Sequence, residues 1–252
     1  MKTLLPSLIL GLFVLIPPSP AADAAAGAAE TAAIAGYVPA KIHQKTRPVY
    51  PMRLISEGIV RGEATVLLEI SAEGKLADRL LISCTHAGFG DEALRTVSEW
   101  TFEAGRQDGR PVSSVVAITF QFGIEGTIAY DKQFEGLRDE AFYRGRFSYF
   151  PRGAASLDRK PLALNVPQPI YPKEWIEQGR SGTVRIQFYI DETGRARLPV
   201  IVSEGDSLLA AAAVAAVKDW RFEVPTFRGK PVLAQAEQEF VFQPPAVAKP
   251  KS

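Results

Sequence analysis

Trp220 opens the stretch WRFEVPTFRGKPV, which runs to Val232, and Trp100 opens a near copy, WTFEAGRQDGRPV, which runs to Val112. The two are offset by 120 residues, and the same offset pairs Gly62 with Gly182, Ile70 with Ile190, Gly74 with Gly194, Ser83 with Ser203 and Phe120 with Phe240. Upstream, VYPMRLISEGIVRG (from Val49) faces IYPKEWIEQGRSG (from Ile170) with one residue dropped, so Tyr50-Pro51 and Tyr171-Pro172 open the two copies. A spacing held over so many positions marks a duplicated domain. Each copy spans about 75 residues, near the lower limit for a unit that folds alone.

Each copy reads as α-β-β-α-β. In the second copy, KEWIEQG is a short helix ended by Gly179, a residue suited to a C-terminal cap. TVRIQFYI alternates, with Val184, Ile186, Phe188 and Ile190 on one face and Thr183, Arg185, Gln187 and Tyr189 on the other, the period of a half-buried strand. DETGR is a turn, with Gly194 free to take positive φ, and LPVIVS returns as a second strand. Asp206 is placed to cap the next helix, in which Leu209, Ala213, Ala216 and Trp220 form one stripe. The last strand, Val232–Phe242, turns Val232, Ala234, Ala236, Phe240 and Phe242 inward, with Gln238 as the polar exception. The first copy repeats the plan with Phe89, Ala93, Thr96 or Val97, and Trp100 on its helix and Val112, Val116, Ile118, Phe120 and Phe122 on its last strand.

The expected fold is therefore α+β: two tandem small domains, each a three-stranded antiparallel-type sheet covered on one face by a helix. A right-handed crossover through that helix places the last strand parallel to the second, with the first between them. The last strand is then an exposed edge in both copies. Trp100, Phe102, Trp220 and Phe222 are expected in the cores.

The flanks divide as follows. Residues 1–21 read as a signal peptide: Lys2, an apolar run from Leu4 to Ile16, Pro17-Pro18, and small residues up to Ala21. The run is shorter than the about 20 residues a membrane span needs. Export is the expectation, and an uncleaved membrane anchor is the alternative. Residues 22–46 read as a flexible Ala-rich segment, 47–123 as the first domain, 124–164 as an interdomain segment, 165–243 as the second domain and 244–252 as a flexible tail.

Chemistry is sparse. The chain has 29 basic and 28 acidic residues, a balance that makes no case for nucleic acid. Cys84 is the only cysteine, so no internal disulfide forms. Cys84 and His86 make a C-x-H pair that cannot close a metal site, and His43 is distant in sequence. Asp91-Glu92 decorates a helix start and Asp191-Glu192 a turn, while Gly36, Gly58 and Gly62 form no phosphate loop. No cofactor, metal or enzymatic activity is expected. Trp175 lies on the short first helix of the second copy. In the interdomain segment, Phe134, Leu137, Ala141 and Phe142 fall at helical spacing, and Arg144, Arg146 and Arg152 interleave with Phe147, Tyr149 and Phe150. This reads either as an arm packed on one domain or as a binding segment for a glycan or acidic partner.

The set of motifs resembles the C-terminal domain of TonB. The second copy carries QPIYP (168–172), Gly182, DETGR (191–195), WRF (220–222) and GKPV (229–232); the first carries RPVYP (47–51), SAEGK (71–75), WTF (100–102) and GRPV (109–112). The resemblance implies binding of a short peptide segment of an outer-membrane transporter, which adds as a strand to the sheet edge. It makes the compartment of export the periplasm and the membrane of an uncleaved anchor the inner one. It also implies that Gln168, in QPIYP, lies near the bound peptide. Gln168, Tyr171, Gln235, Glu237, Glu239 and Val241 are accordingly the candidate peptide-binding residues. The first copy has Arg47 in place of Gln168, so either its preference differs or it does not bind. The family's motor-coupled anchor carries a histidine and precedes a long proline-rich spacer, and residues 1–46 show neither pattern.

The expected activity is protein or peptide binding at a sheet edge, without nucleic acid and without membrane contact unless the N-terminal segment is retained. The rival readings are a membrane-anchored energy transducer and a self-associating envelope scaffold, with a homodimer among its forms. Occupation of the edge by the other repeat, by the Gly123–Asn165 segment or by a second chain is the competing expectation for the edge itself.

Overall fold

The computed structural model describes residues 36–132, 140–203 and 207–243. The chain divides into two compact units between Gly153 and Ala154. The expected signal peptide, the tail, the Asp206 cap and residues Phe134 and Leu137 lie outside the described residues.

The first unit begins earlier than expected. Within the stretch read as flexible, β1 (Tyr37–Val38) and β2 (Lys41–Gln44) are strands. A short helix α1 (Arg53–Ser56) leads to β3 (Arg61–Ile70) and β4 (Leu76–Cys84), then α2 (Ala87–Val97), β5 (Thr101–Glu103), and a small ribbon of β6 (Gly105–Gln107) and β7 (Arg110–Val112). The strand β8 (Ser114–Gly123) follows, so Val112 belongs to the ribbon and not to the last strand. β2 pairs with β5 and β1 with β6, which ties residues 37–44 down.

β8 is not an edge. A further strand, β9 (Gly126–Lys132), pairs antiparallel along it, giving the order β4-β3-β8-β9. The first copy therefore has four strands where three were expected. The physical reason lies in the connection: Gly123 and Gly126 flank Ile124 and Glu125 in a tight turn, and Gly126 sits at φ 147°, a conformation that glycine adopts freely. Beyond β9, a turn of helix α3 (Glu140–Tyr143) leads to residues 144–153. Tyr149 bridges Cys84 at the end of β4, and the Arg146 guanidinium meets the Glu63 carboxylate at 2.6 Å. Tyr143, Phe147 and Phe150 form a buried cluster of their own.

The second unit starts at Ala154, inside the segment read as interdomain. Asp158 accepts from the amides of Arg228 and Gly229, and β10 (Ala163–Asn165) pairs with a later strand. The helix α4 (Lys173–Glu177) precedes β11 (Gly182–Ile190), β12 (Ala196–Ile201), α5 (Ser207–Lys218), β13 (Arg221–Phe222), the hairpin of β14 (Thr226–Phe227) and β15 (Lys230–Pro231), and β16 (Ala234–Phe242). β13 is the strand that pairs with β10. The sheet order is β12-β11-β16, with β11 central and antiparallel to both neighbours. Val232 again precedes the strand that was expected to contain it.

The two cores use the same devices. Trp100 and Trp220 are 5% and 1% exposed, and each donates its indole N–H to a backbone carbonyl just upstream, that of Thr46 at 2.9 Å and of Pro167 at 3.0 Å. That bond satisfies the one polar atom of a large apolar side chain. The Trp100 ring packs 5.7 Å from Phe120, and the Trp220 ring 5.5 Å from Phe240. Phe102 and Phe222 are buried beside them. The Tyr50 and Tyr171 hydroxyls donate to the carbonyls of Ile59 and Arg180, locking each opening Tyr-Pro onto its domain. Gly62 and Gly182 leave room for the helix: a Cβ at Gly62 would run into the Phe89 ring, and one at Gly182 would meet Leu209. One departure from simple alternation is Tyr189, which is buried although it lies on the sheet face away from α5.

Candidate functional site

The edge of β16 is the site to which the residue pattern points. Which backbone groups it offers follows from β11. The amide of Val202 donates to the carbonyl of Arg185, and the amide of Arg185 donates to the Ser203 hydroxyl. Arg185 thus directs its main chain toward β12. Alternation then turns the even-numbered residues of β11 toward β16. The register pairs Val184 with Phe240, Ile186 with Gln238 and Phe188 with Ala236, so the even-numbered residues of β16 hydrogen-bond inward. The amides and carbonyls of Gln235, Glu237, Glu239 and Val241 point off the sheet. Among the described residues no strand meets them. One of these groups has a local partner: the buried Gln238 side chain donates to the Glu239 carbonyl at 2.6 Å.

The first copy shows what such a row does when it has a partner. By the 120-residue offset, Ala117, Thr119 and Gln121 correspond to Glu237, Glu239 and Val241. They face Lys132, Tyr130 and Ile128 of β9. The groups that no described strand meets in the second copy are the ones a strand occupies in the first.

The second unit has another edge, β12, but it is blunted. Its register against β11 shifts between Gln187 and Tyr189, Leu198 is held at φ 48°, and Pro199 follows. A bulge and a proline are standard protection for an edge strand. β16 has neither: its nine residues pair without a register shift and include no Pro or Gly.

The side chains of the outward row share the face away from α5. Glu237 is half-buried; it accepts from the Gln187 amide at 3.0 Å and lies 3.7 Å from the Arg185 guanidinium. Glu239 is exposed, while Gln235 and Val241 are half-buried. The Gln235 side-chain oxygen is shielded from solvent and has no hydrogen-bond partner. Tyr171 is a buried residue, its ring 5.5 Å from Phe242 at the end of β16, so it shapes the site from beneath and presents no surface. Gln168 is exposed three residues upstream, in a run that includes Ile170 at 84% exposure. The structure brings Gln235, Glu237, Glu239 and Val241 into one row, with Gln168 on the segment that leads to the row's far end. Sequence reasoning missed Arg185 and Gln187, which hold Glu237. The register of the alternating strand TVRIQFYI against β16 is the signal that exposes them.

The other groups weighed from the sequence have structural roles. His86 caps α2, its Nδ1 accepting from the Gly88 amide at 3.1 Å. Burial pushes the neighbouring Cys84 thiol upward in pKa. Asp91 is exposed in the second turn of α2 and not at its start, because the helix begins at Ala87 with His86 as its cap; it lies 3.8 Å from Arg53. Asp191 organises its turn: its carboxylate accepts from the Thr193 amide and hydroxyl, the Arg195 amide and Arg197. Burial alone would raise its pKa, but these donors together hold it below the usual carboxylate range. Trp175 is buried, and Arg180 stacks on its ring at 4.0 Å. Arg144 and Arg152 both pair with the buried Glu140, which is an arm locked to itself.

The family described as Gram-negative bacterial TonB protein C-terminal matches residues 46–124 and again residues 167–244, together more than half of the chain. The chain belongs to the TonB C-terminal family. It carries that domain twice, in tandem. A solution NMR structure of the Pseudomonas aeruginosa TonB C-terminal domain is 26% identical over 37% of this chain and 93% of its own length, with a TM-score of 0.31. No curated relative matches the chain. Among the described residues, no helix is long and apolar enough to cross a membrane.

Proposed function

We propose that this protein is an exported, non-enzymatic binding protein of the periplasm, and that its second domain captures an extended segment of another envelope protein by strand addition at β16. The observation that carries the reading is the contrast between equivalent rows: β9 pairs with the row on β8, and among the described residues no strand pairs with the row on β16. Main-chain pairing supplies affinity in such a mode, and alternate side chains supply selectivity. Membership of the TonB C-terminal family makes a segment of an outer-membrane transporter the first partner to test. The first domain, with its edge filled, acts as a scaffold and not as a second binding site.

The test is a proline at Glu237. Its N–H points off the sheet, so the substitution removes an edge donor without touching the β11 pairing. Outer-membrane proteins captured by the wild-type chain should be lost with Glu237→Pro, while near-ultraviolet circular dichroism shows the variant folded. A folded Glu237→Pro chain that captures the same proteins at the same yield contradicts the reading.

A further inference from the structure

We infer that the β16 edge selects a partner segment with a basic side chain opposite Glu239 and a small apolar side chain opposite Phe240; the inference rests on the strand-addition reading above. The charge balance of the edge is the first ground. Arg185 stands directly across β11 from Glu239 but turns its guanidinium to Glu237, which Gln187 also holds. Glu239 is exposed and has no ion-pair partner among the described residues. One cation thus faces two carboxylates, and the uncompensated charge lies at the middle of the open row.

The first copy supplies the second ground. Its row carries Ala117, Thr119 and Gln121, with no acid, and Thr119 is satisfied by the Thr65 hydroxyl at 3.1 Å. There β9 places Tyr130 opposite Thr119 and, on the helix-covered face, Ala129 opposite Phe120, where it packs on the core. Transferred by the 120-residue offset, that register sets one side chain against Glu239 and one against Phe240. Opposite charges directly across a pair stabilise it and like charges oppose it.

The same charges exclude the simplest alternative occupant, a second β16. Two-fold antiparallel pairing centred on Glu237, Gln238 or Glu239 sets Glu237 against itself, Glu237 against Glu239, or Glu239 against itself. Every well-overlapped register therefore puts carboxylate against carboxylate.

The experiment uses the full chain, labelled with 15N, and three synthetic peptides. The host has the sequence of Gly126–Lys132, and the guests are its Tyr130→Lys and Tyr130→Glu forms. Amide shifts at Glu237, Glu239 and Val241 report binding. At low salt the Lys guest should bind on the order of fivefold more tightly than the Glu guest. The ratio should fall toward one at 1 M salt, where screening acts within about 3 Å, and in the Glu239→Gln chain. Equal affinities for the two guests, with shifts on β16, overturn the charge selection and leave strand addition standing. Absence of shifts on β16 with every peptide at millimolar concentration overturns strand addition, and the selection with it.

Discussion

The two copies differ most at one strand. β8 and β16 are equivalent in position and inward pattern, with Phe120 and Phe240 both packed beside a tryptophan. β8 is followed by Gly123-Ile124-Glu125-Gly126, a turn that sends the chain straight back as β9. β16 is followed by Gln243 and then Pro244-Pro245, which provide neither the glycine for a tight turn nor the N–H groups for a returning strand. The sequences that follow the two equivalent strands thus differ at the point where the first copy adds a fourth strand. Further along, Tyr149 bridges the end of β4 at Cys84, so part of the opposite edge of that sheet is also paired. On the strand-addition reading, the pairing of β9 with β8 gives the register to expect for a segment on β16.

The comparison assumes that the cores are equivalent, and the largest expected effect tests that. Trp220→Ala should destabilise a fragment spanning Ala154–Gln243 by about 3–5 kcal/mol, as for other buried aromatic truncations. Trp100→Ala should cost the first unit a similar amount. Urea melts check both, and a loss under about 1 kcal/mol would place the tryptophan outside the core. The fragment begins at Ala154 because Asp158 holds the amides of Arg228 and Gly229. It should melt cooperatively, and a fragment begun at Lys160 should be weaker.

A second pair of variants addresses the edge itself. Ala117→Pro removes an N–H that faces β9 and should cost the first unit about 1–3 kcal/mol, the range for an orphaned buried partner. Glu237→Pro, at the equivalent position, removes an N–H that faces solvent and should cost within about 0.5 kcal/mol. Equal losses at the two sites would erase the distinction between the edges.

Much of this was legible in the sequence, for a physical reason. The repeat, the period-two strands and the two long helices follow from short-range patterning, and the structure has them, although α2 ends at Val97 and α5 at Lys218, so that Trp100 and Trp220 fall just past the helices and not on them. Gln238 was legible as a polar residue on an inward face, and the row of Gln235, Glu237, Glu239 and Val241 as its alternate. Which of those groups the sheet leaves open depends on pairing register, set by contacts distant in sequence, and alternation alone does not fix it. β9 was missed because Thr127–Lys132 lies outside the repeated unit, so the duplication gave it no weight, although the Gly123/Gly126 turn announced a hairpin. Residues 37–44 were missed because their strands are short and exposed, and form only against β5 and β6. Tyr171 was a candidate peptide-binding residue because it lies in QPIYP; its ring is buried beside Phe242, a tertiary contact that the motif alone does not show.

The smallest effect concerns the turns. Asp191 in the second copy stands where Ser71 stands in the first, and its carboxylate is held below its usual pKa by its donors. A carboxylate depressed in the folded state contributes stability above its unfolded pKa and loses it as pH falls through the folded value. The second unit should therefore weaken below about pH 4, and Asp191→Asn should flatten that dependence. Urea midpoints of the Ala154–Gln243 fragment at neutral and acidic pH, with and without Asp191→Asn, measure it. An unchanged slope in the variant would assign the acid sensitivity elsewhere.

Native-state amide exchange of the full chain tests the central contrast most directly, because it reads the two rows in one sample. Ala117, Thr119 and Gln121 should be protected, since their N–H groups face β9. Glu237, Glu239 and Val241 should exchange at rates close to those of exposed amides, while their neighbours Ala236, Gln238 and Phe240 remain protected by β11. Strong protection of Glu237, Glu239 and Val241 in the isolated protein would mean that the edge is already occupied, and would contradict the account.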